Sequence, residues 1–108
     1  MVSVNYDIVE NQKSVIIKMT DKDSITGKEA IEFSSVINGI DKDTDSAVID
    51  VENVKIFTSQ GIGMILNAHI TLKKNNIKLK IINASENAKK LFAMTKLDYV
   101  IPVEYKDE

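Results

Sequence analysis

The 108-residue chain contains no cysteine and no tryptophan, and it has only one proline and one histidine. The lack of cysteine excludes disulfides, thiolate metal sites and cysteine nucleophiles, and it is compatible with a reducing compartment. A single histidine without convergent ligands is a poor metal site and has no cysteine nucleophile to activate. We therefore expect no catalytic residue, no bound metal and no cofactor.

Long apolar runs and a basic stripe are also missing. No apolar run approaches the roughly 18 residues that suggest a membrane span, and the first residues lack the basic start and apolar stretch of a secretory signal. The net charge is −2, and basic residues are scattered apart from Lys73-Lys74 and Lys89-Lys90. Because neither a signal nor a membrane span is indicated, we expect a cytoplasmic protein without membrane partners. Because nucleic-acid binders usually carry a basic stripe with interleaved aromatics, we also expect no nucleic-acid partner.

The residues that are present are typical of one globular domain. Hydrophobic residues make up 44% and charged residues 28% of the sequence, a composition unlike that of disordered chains. A length of 108 residues is close to the most common domain size and leaves no room for a second core. We expect a single domain over residues 1–108, with residues 103–108 as a frayed tail.

Hydrophobic patterning predicts alternating strands and helices. Val2, Val4, Tyr6 and Ile8 are apolar at every second position, which predicts a strand with one solvated face before a turn at Asn11-Gln12. The remaining predicted elements are a strand over 15–19, a helix opened by a capping box at Thr26-Gly27-Lys28-Glu29 and closed at Gly39, a strand over 47–51, a helix over 60–74, a strand over 77–82, a helix capped by Ser85, and a strand at Tyr99-Val100-Ile101. The order ββαβαβαβ predicts an α/β fold with a mixed, mostly parallel sheet, an N-terminal antiparallel hairpin and about three packed helices.

The stretch from Phe57 to Gly63 is the most informative part of the sequence. It places Ser59 between an apolar strand and an amphipathic helix, where the first backbone N–H groups have no partner inside the helix. The macrodipole adds roughly half a positive charge at this end. Ser59 is therefore suited either to cap the helix or to carry a phosphoryl group where negative charge is tolerated.

Acidic residues suggest two other sites. Asp50 falls near the carboxyl end of a parallel strand, where open sheets place their sites, and it is equally suited to anchor backbone N–H groups of the next loop. Four acidic residues imitate the spacing of a calcium-binding loop, namely Asp41, Asp43, Asp45 and Glu52. Ser46 replaces the glycine that such a loop needs for its sharp turn, so we interpret this segment as a solvated acidic loop.

Two motifs together resemble a known family. The first comprises Val48-Ile49-Asp50-Val51 and then Ile56 to Gly63. The second comprises Ser85, Ala88, Lys90-Leu91-Phe92, Met94-Thr95 and Leu97. With both motifs at the right separation, the chain resembles a STAS domain of the bacterial anti-sigma factor antagonist family, and the resemblance covers nearly all of its length.

The resemblance implies a phosphorylation switch at Ser59. In that family, the serine is phosphorylated by a partner that is both an anti-sigma factor and a serine kinase. The unmodified antagonist binds this partner and frees the sigma factor, and the phosphorylated form releases the partner until a serine phosphatase acts. The chain would then be a binding module and a kinase substrate, not an enzyme. The implied partner-binding residues are Thr58, Ser59, Gln60, Gly61, Gly63 and Met64, with Asp50 supporting the loop.

Two positions depart from the family pattern. The family commonly has Asp at the position of Thr58 and Ser or Thr at that of Gln60, and Thr58 is itself a second candidate acceptor after Ser59. Two alternatives stay open, the first of them because of these departures. One is a STAS-type scaffold in a signalling or transport-associated assembly, whose loop is never phosphorylated. The other is a domain similar to a response-regulator receiver, in which Asp50 accepts the phosphate.

Overall fold

A computed structural model describes residues 2–19, 27–54 and 58–106 of the chain. Its elements are β1 (Val2–Val9), β2 (Gln12–Met19), α1 (Gly27–Asn38), β3 (Ser46–Asp50), α2 (Ser59–Lys74), β4 (Lys78–Ala84), α3 (Glu86–Met94), α4 (Leu97–Val100) and β5 (Val103–Tyr105). The predicted α/β fold with a mixed, mostly parallel sheet and an antiparallel opening hairpin is confirmed. Thr26, the start of the predicted capping box, lies outside the described residues.

The turn of the opening hairpin differs by one residue from the prediction. Val9 lies opposite Gln12, so the turn is Glu10-Asn11 and not Asn11-Gln12. Both turn residues have positive φ, 52° and 65°, as in the two-residue turns whose twist matches that of the flanking strands. The error arose because glutamate is an unusual residue for this conformation, so the sequence did not identify Glu10 as part of the turn.

The core lies between one face of the sheet and the helices. The strands are ordered β1-β2-β3-β4-β5, and each pair after the hairpin is parallel. Residues that share a register position point to the same face, and two such rows are buried: Val15, Ala47 and Leu79, then Ile17, Ile49 and Ile81. Within the described residues, α1 packs against α2 and β1, and α2 also contacts β4. Each fully buried aliphatic side chain of this core contributes about 1.5–3 kcal/mol.

The predicted apolar stripes of the helices face this core. Phe33 and Ile37 of α1 are buried, as are Ala88 and Phe92 of α3. The predicted N-cap of α3 is confirmed, because the Ser85 hydroxyl accepts a hydrogen bond from the Ala88 N–H at 3.2 Å. The cap fixes where α3 leaves β4 and brings its apolar stripe onto the core.

The C-terminal segment departs from the prediction. Residues 99–101 were expected to form the last strand, but Leu97–Val100 is the short helix α4 and the last strand is β5. Leu97 and Ile101 are buried one helical turn apart, whereas Tyr99 is 84% exposed. This burial at a spacing of four residues outweighs the strand propensity of the aromatic and β-branched residues.

The expectation that residues 103–108 form a frayed tail is also wrong for the described part of that segment. β5 pairs in parallel with β4, and the backbone N–H of Lys106 donates to the Ala84 carbonyl at 2.8 Å. Pro102 precedes the strand, and its carbonyl accepts from the Ile81 N–H at 2.9 Å. The segment therefore completes the sheet.

Candidate functional site

The start of α2 is fixed by Thr58. This residue has extended backbone angles, and its hydroxyl oxygen accepts a hydrogen bond from the Gly61 N–H at 3.2 Å. The Thr58 carbonyl accepts from the Ile62 N–H at 3.1 Å. Of the two hydroxyl residues considered from the sequence, Thr58 is therefore the N-cap, and its side chain is partly buried and already hydrogen-bonded.

Ser59 is the first residue of α2, and its side chain is exposed. The next residue, Gln60, is exposed as well, and the first turn of the helix contains no acidic residue. A negative group on Ser59 would lie at the positive end of the helix dipole without a like charge in that turn. The arrangement thus presents a hydroxyl to solvent where a phosphoryl group is electrostatically tolerated.

Other residues predicted to bind the partner lie along one side of a shallow groove. Gln60, Gly63 and Met64 line a cavity of about 280 Å³ between α2 and α1. Met64 is 7% exposed, and Gly61, in the first turn of α2, is buried. The exposed surface of this segment therefore consists of Ser59 and Gln60, with Gly63 partly exposed beside the groove. That these residues bind a partner stays a prediction.

Asp50 supports the loop that leads to α2. It is 8% exposed at the carboxyl end of β3. Its Oδ1 atom accepts hydrogen bonds from the Glu52 N–H at 3.0 Å and from the Asn83 side-chain amide at 3.2 Å. The carboxylate thus ties the loop after β3 to the end of β4, which is the anchoring role considered for it from the sequence.

Two asparagines contribute to this loop, and sequence reasoning missed both. Asn83 reaches Asp50 from the end of β4, where it has a positive φ of 62°. Asn53 donates its side-chain amide to the Met19 carbonyl at 3.2 Å. Asn53 follows the carboxyl end of β3, and Asn83 lies at the carboxyl end of β4. Asparagine beside a strand end is the only sequence signal that could have indicated these two residues.

The acidic loop before β3 is held by a lysine. Lys13 Nζ contacts Asp41 Oδ2 at 2.6 Å and Asp43 Oδ1 at 3.1 Å. The Lys13 backbone N–H donates to Asp45 Oδ2 at 2.8 Å. Hydrogen bonds to Asp41 and Asp43 raise the pKa of Lys13 above its ordinary 10.5. Three of the four carboxylates that imitate a calcium loop are therefore bound by Lys13, which joins this loop to the opening hairpin.

Over residues 2–19, 27–54 and 58–106, no helix has the length and apolar character needed to cross a bilayer. In the same ranges, no group of three or more histidine or acidic side chains is arranged to hold a metal ion.

Known proteins resemble this chain in sequence pattern and in fold. The family model described as STAS domain matches residues 5–107. A search of curated protein sequences finds no significant match.

Solved structures with the same fold include two anti-sigma factor antagonists and one transporter protein. An anti-sigma-factor antagonist (STAS) domain protein from Planctomyces limnophilus is 17% identical with a TM-score of 0.70, and the alignment covers 97% of this chain and 91% of that one. The antagonist SpoIIAA in its unphosphorylated form is 14% identical with a TM-score of 0.70, over 94% and 87% of the two chains. A sulfate transporter family protein from Wolinella succinogenes is 11% identical with a TM-score of 0.73, over 84% and 75%. At these identities the likeness concerns the fold.

Proposed function

Because the chain belongs to the STAS domain family, and its fold is shared with anti-sigma factor antagonists, we propose that it is itself such an antagonist. The unmodified protein binds an anti-sigma factor that is also a serine kinase, and this binding frees the sigma factor. Phosphorylation of Ser59 releases the partner, and a serine phosphatase restores the binding form. The protein acts as a binding module and kinase substrate and not as an enzyme.

The observation that carries this proposal is the difference between Ser59 and Thr58. The Thr58 hydroxyl caps α2, whereas Ser59 is exposed at the first helical position. A kinase can therefore reach Ser59 without removing the hydrogen bond that starts the helix. This geometry also favours Ser59 over Thr58 as the acceptor.

The energetics favour a change in binding over a change in folding. Phosphorylation adds about −1.5 to −2 charges at neutral pH. At an exposed helix N-terminus, an anion is stabilised by about 0.3–1 kcal/mol, so the fold tolerates the modification. A partner surface that fits the neutral Ser59 hydroxyl would leave the phosphate charge unpaired or facing a like charge. Such a contact costs several kcal/mol of binding free energy. Since about 1.4 kcal/mol is a factor of ten in affinity, release by a hundredfold or more is feasible.

A second candidate function is a STAS scaffold that is not phosphorylated. The fold similarity to a sulfate transporter family protein supports a place in a transport-associated or signalling assembly. The residues that depart from the family pattern, Thr58 and Gln60, lie on either side of Ser59 and would belong to such an interface.

Phosphate mapping separates the two functions. The purified protein is incubated with an extract of its native cells and ATP, and the modified residue is identified by mass spectrometry. The antagonist function predicts acid-stable phosphate on Ser59, which is lost in a Ser59→Ala control. An unmodified chain would support the scaffold function. A labile acyl phosphate on Asp50 would contradict both and support a receiver-like domain.

A further inference from the structure

The outer edge of β1 is unpaired in the part of the chain that the structure describes. β1 is the first strand of the sheet order, and its only described neighbour is β2. β1 is eight residues long, roughly 26 Å at the usual rise per residue. The N–H and C=O groups of every second residue point to this outer edge, while those of the other residues point to β2. Such an edge is a template for another strand.

The side chains of β1 are unusually apolar for an exposed edge. Val4 and Tyr6 lie opposite the buried Ile17 and Val15, so their row continues the core face of the sheet outwards. Ile8, in the same row, is 67% exposed, and Val9 on the opposite face is 58% exposed. The strand contains no proline or lysine, which are the residues that commonly block edge pairing, and its single charge is Asp7.

We propose that β1 pairs antiparallel with β1 of a second copy of this chain, with the two-fold axis at Tyr6. This register places Val4 opposite Ile8 of the second copy and Asn5 opposite its Asp7. On one face the apolar Val4 then meets the apolar Ile8, and on the other the Asn5 amide meets the Asp7 carboxylate as donor and acceptor, with Val9 opposite Ser3. An antiparallel pair of identical strands is self-complementary, which is the property that a closed two-fold dimer needs.

Other registers are less favourable. A shift by one residue places the apolar row of one copy opposite the polar row of the other. An axis at Asp7 would oppose the two Asp7 carboxylates, and like charges directly opposite each other are destabilising. An axis at Asn5 leaves Val9 without an opposing residue in β1 of the second copy. The axis at Tyr6 keeps both Ile8 and Val9, the most exposed of the large hydrophobic side chains of the strand, within the paired length.

The dimer leaves the proposed phosphorylation site free. α1 is the helix that packs against β1, whereas α2 contacts β4, further along the sheet. Ser59 at the start of α2 is therefore not part of the β1 edge. The proposal is independent of the function proposed above, and each copy of the dimer would present its own Ser59.

Mass measurement tests the dimer. Light scattering or sedimentation over a concentration series should give a mass rising toward twice the 12.1 kDa of the chain. Ile8→Lys should shift the mass back to that of one chain at every concentration. The matched control is Ile70→Lys, the same change at a 52% exposed isoleucine of α2, which should dimerise like the wild type. A wild type that stays monomeric, or a dimer lost through Ile70→Lys and retained in Ile8→Lys, would overturn the proposal.

Cross-linking through introduced cysteines tests the register. The chain has no cysteine of its own, so every disulfide formed joins introduced residues. Asn5 and Asp7 are both exposed, so Asn5→Cys and Asp7→Cys should fold normally. Residues directly opposite each other are within disulfide range, whereas diagonal neighbours at roughly 7–8 Å are not. Under mild oxidation, a mixture of the two variants should form far more disulfide-linked dimer than either variant alone. Equal cross-linking of Asn5→Cys on its own would overturn the Tyr6-centred register.

Discussion

Thr58 and Ser59 are adjacent hydroxyl residues at the start of α2, but their side chains have different surroundings. The Thr58 hydroxyl is hydrogen-bonded to the Gly61 N–H, and the Ser59 side chain is exposed. The sequence predicted that a hydroxyl residue would cap this helix but considered Ser59 for that role. The difference is a shift of one residue at a helix end, which propensity alone does not resolve.

We expect Thr58→Ala to destabilise the protein by about 1 kcal/mol, because the Gly61 N–H loses its acceptor. Thr58→Ser keeps the oxygen and should retain most of the stability. Ser59→Ala should change the free energy of unfolding by no more than about 0.5 kcal/mol, as is usual for an exposed position. Urea denaturation of the three variants measures these values, and a larger loss from Ser59→Ala than from Thr58→Ala would contradict the assignment of the cap.

Gly63 in the interior of α2 is not required by the fold. A Cβ atom at this position would meet no atom within 4 Å, and its φ is not positive. Glycine inside a helix is about 1 kcal/mol less favourable than alanine. A residue that costs stability without serving the fold fits the predicted role of Gly63 in close contact with a partner.

Gly63→Ala should therefore raise the free energy of unfolding by about 0.4–1 kcal/mol while it weakens binding to the anti-sigma partner. The stability is measured by urea denaturation and the affinity by calorimetric titration of the same preparation. A variant that is more stable and binds as tightly as the wild type would remove Gly63 from the proposed interface.

At the scale of elements, Lys13 joins the opening hairpin to the loop before β3. Its ammonium lies 5.0 Å from the centroid of the Tyr6 ring and contacts Asp41 and Asp43. The Tyr6 hydroxyl accepts from the Asp41 N–H at 3.1 Å. The sequence indicated the hairpin and the acidic loop separately, but the contact between them depends on the parallel pairing of β2 with β3, which no local pattern shows.

The raised pKa of Lys13 sets the direction of a pH effect. The folded state holds this proton more tightly than the unfolded state, so the contribution is fully present below the ordinary value of 10.5 and is lost as pH rises through the folded pKa. The matched variant is Lys13→Arg, whose guanidinium stays protonated over this range.

Between about pH 9 and pH 12, the melting temperature of the wild type should fall more than that of Lys13→Arg. Tyr105, whose pKa is raised by burial and by the Asp98 charge, titrates in both proteins and does not contribute to the difference. If the melting temperatures of the wild type and Lys13→Arg fall equally across this pH range, the Lys13 contacts do not stabilise the folded state.

The C-terminal elements show where local patterns stop being sufficient. Leu97 and Ile101 are buried because α4 turns both toward the core, and Lys96 begins this helix from a left-handed conformation, with φ of 59°. The pattern of Tyr99-Val100-Ile101 favoured a strand, and only the packing of the whole domain reverses it. Long periodic helices and the apolar strands of the core were, by contrast, predictable.

At the scale of the whole molecule, the sequence predicted the order of the main elements, the mixed sheet and the family, whose model matches residues 5–107. It placed Asp50 near the carboxyl end of a parallel strand and Ser59 between that strand and the next helix. It could not predict which carboxylate oxygen the loop uses or that Asn83 reaches across from β4, because such contacts depend on how adjacent strands align.

The central claim is that one exposed hydroxyl controls binding while the fold is unchanged. The most direct measurement is a calorimetric titration of the anti-sigma factor kinase with wild type, Ser59→Ala and Ser59→Asp, together with a melting curve of each variant. The account predicts that Ser59→Asp weakens binding by about a hundredfold or more, that Ser59→Ala binds like the wild type, and that all three melt at nearly the same temperature. A Ser59→Asp variant that binds as tightly as the wild type would contradict it.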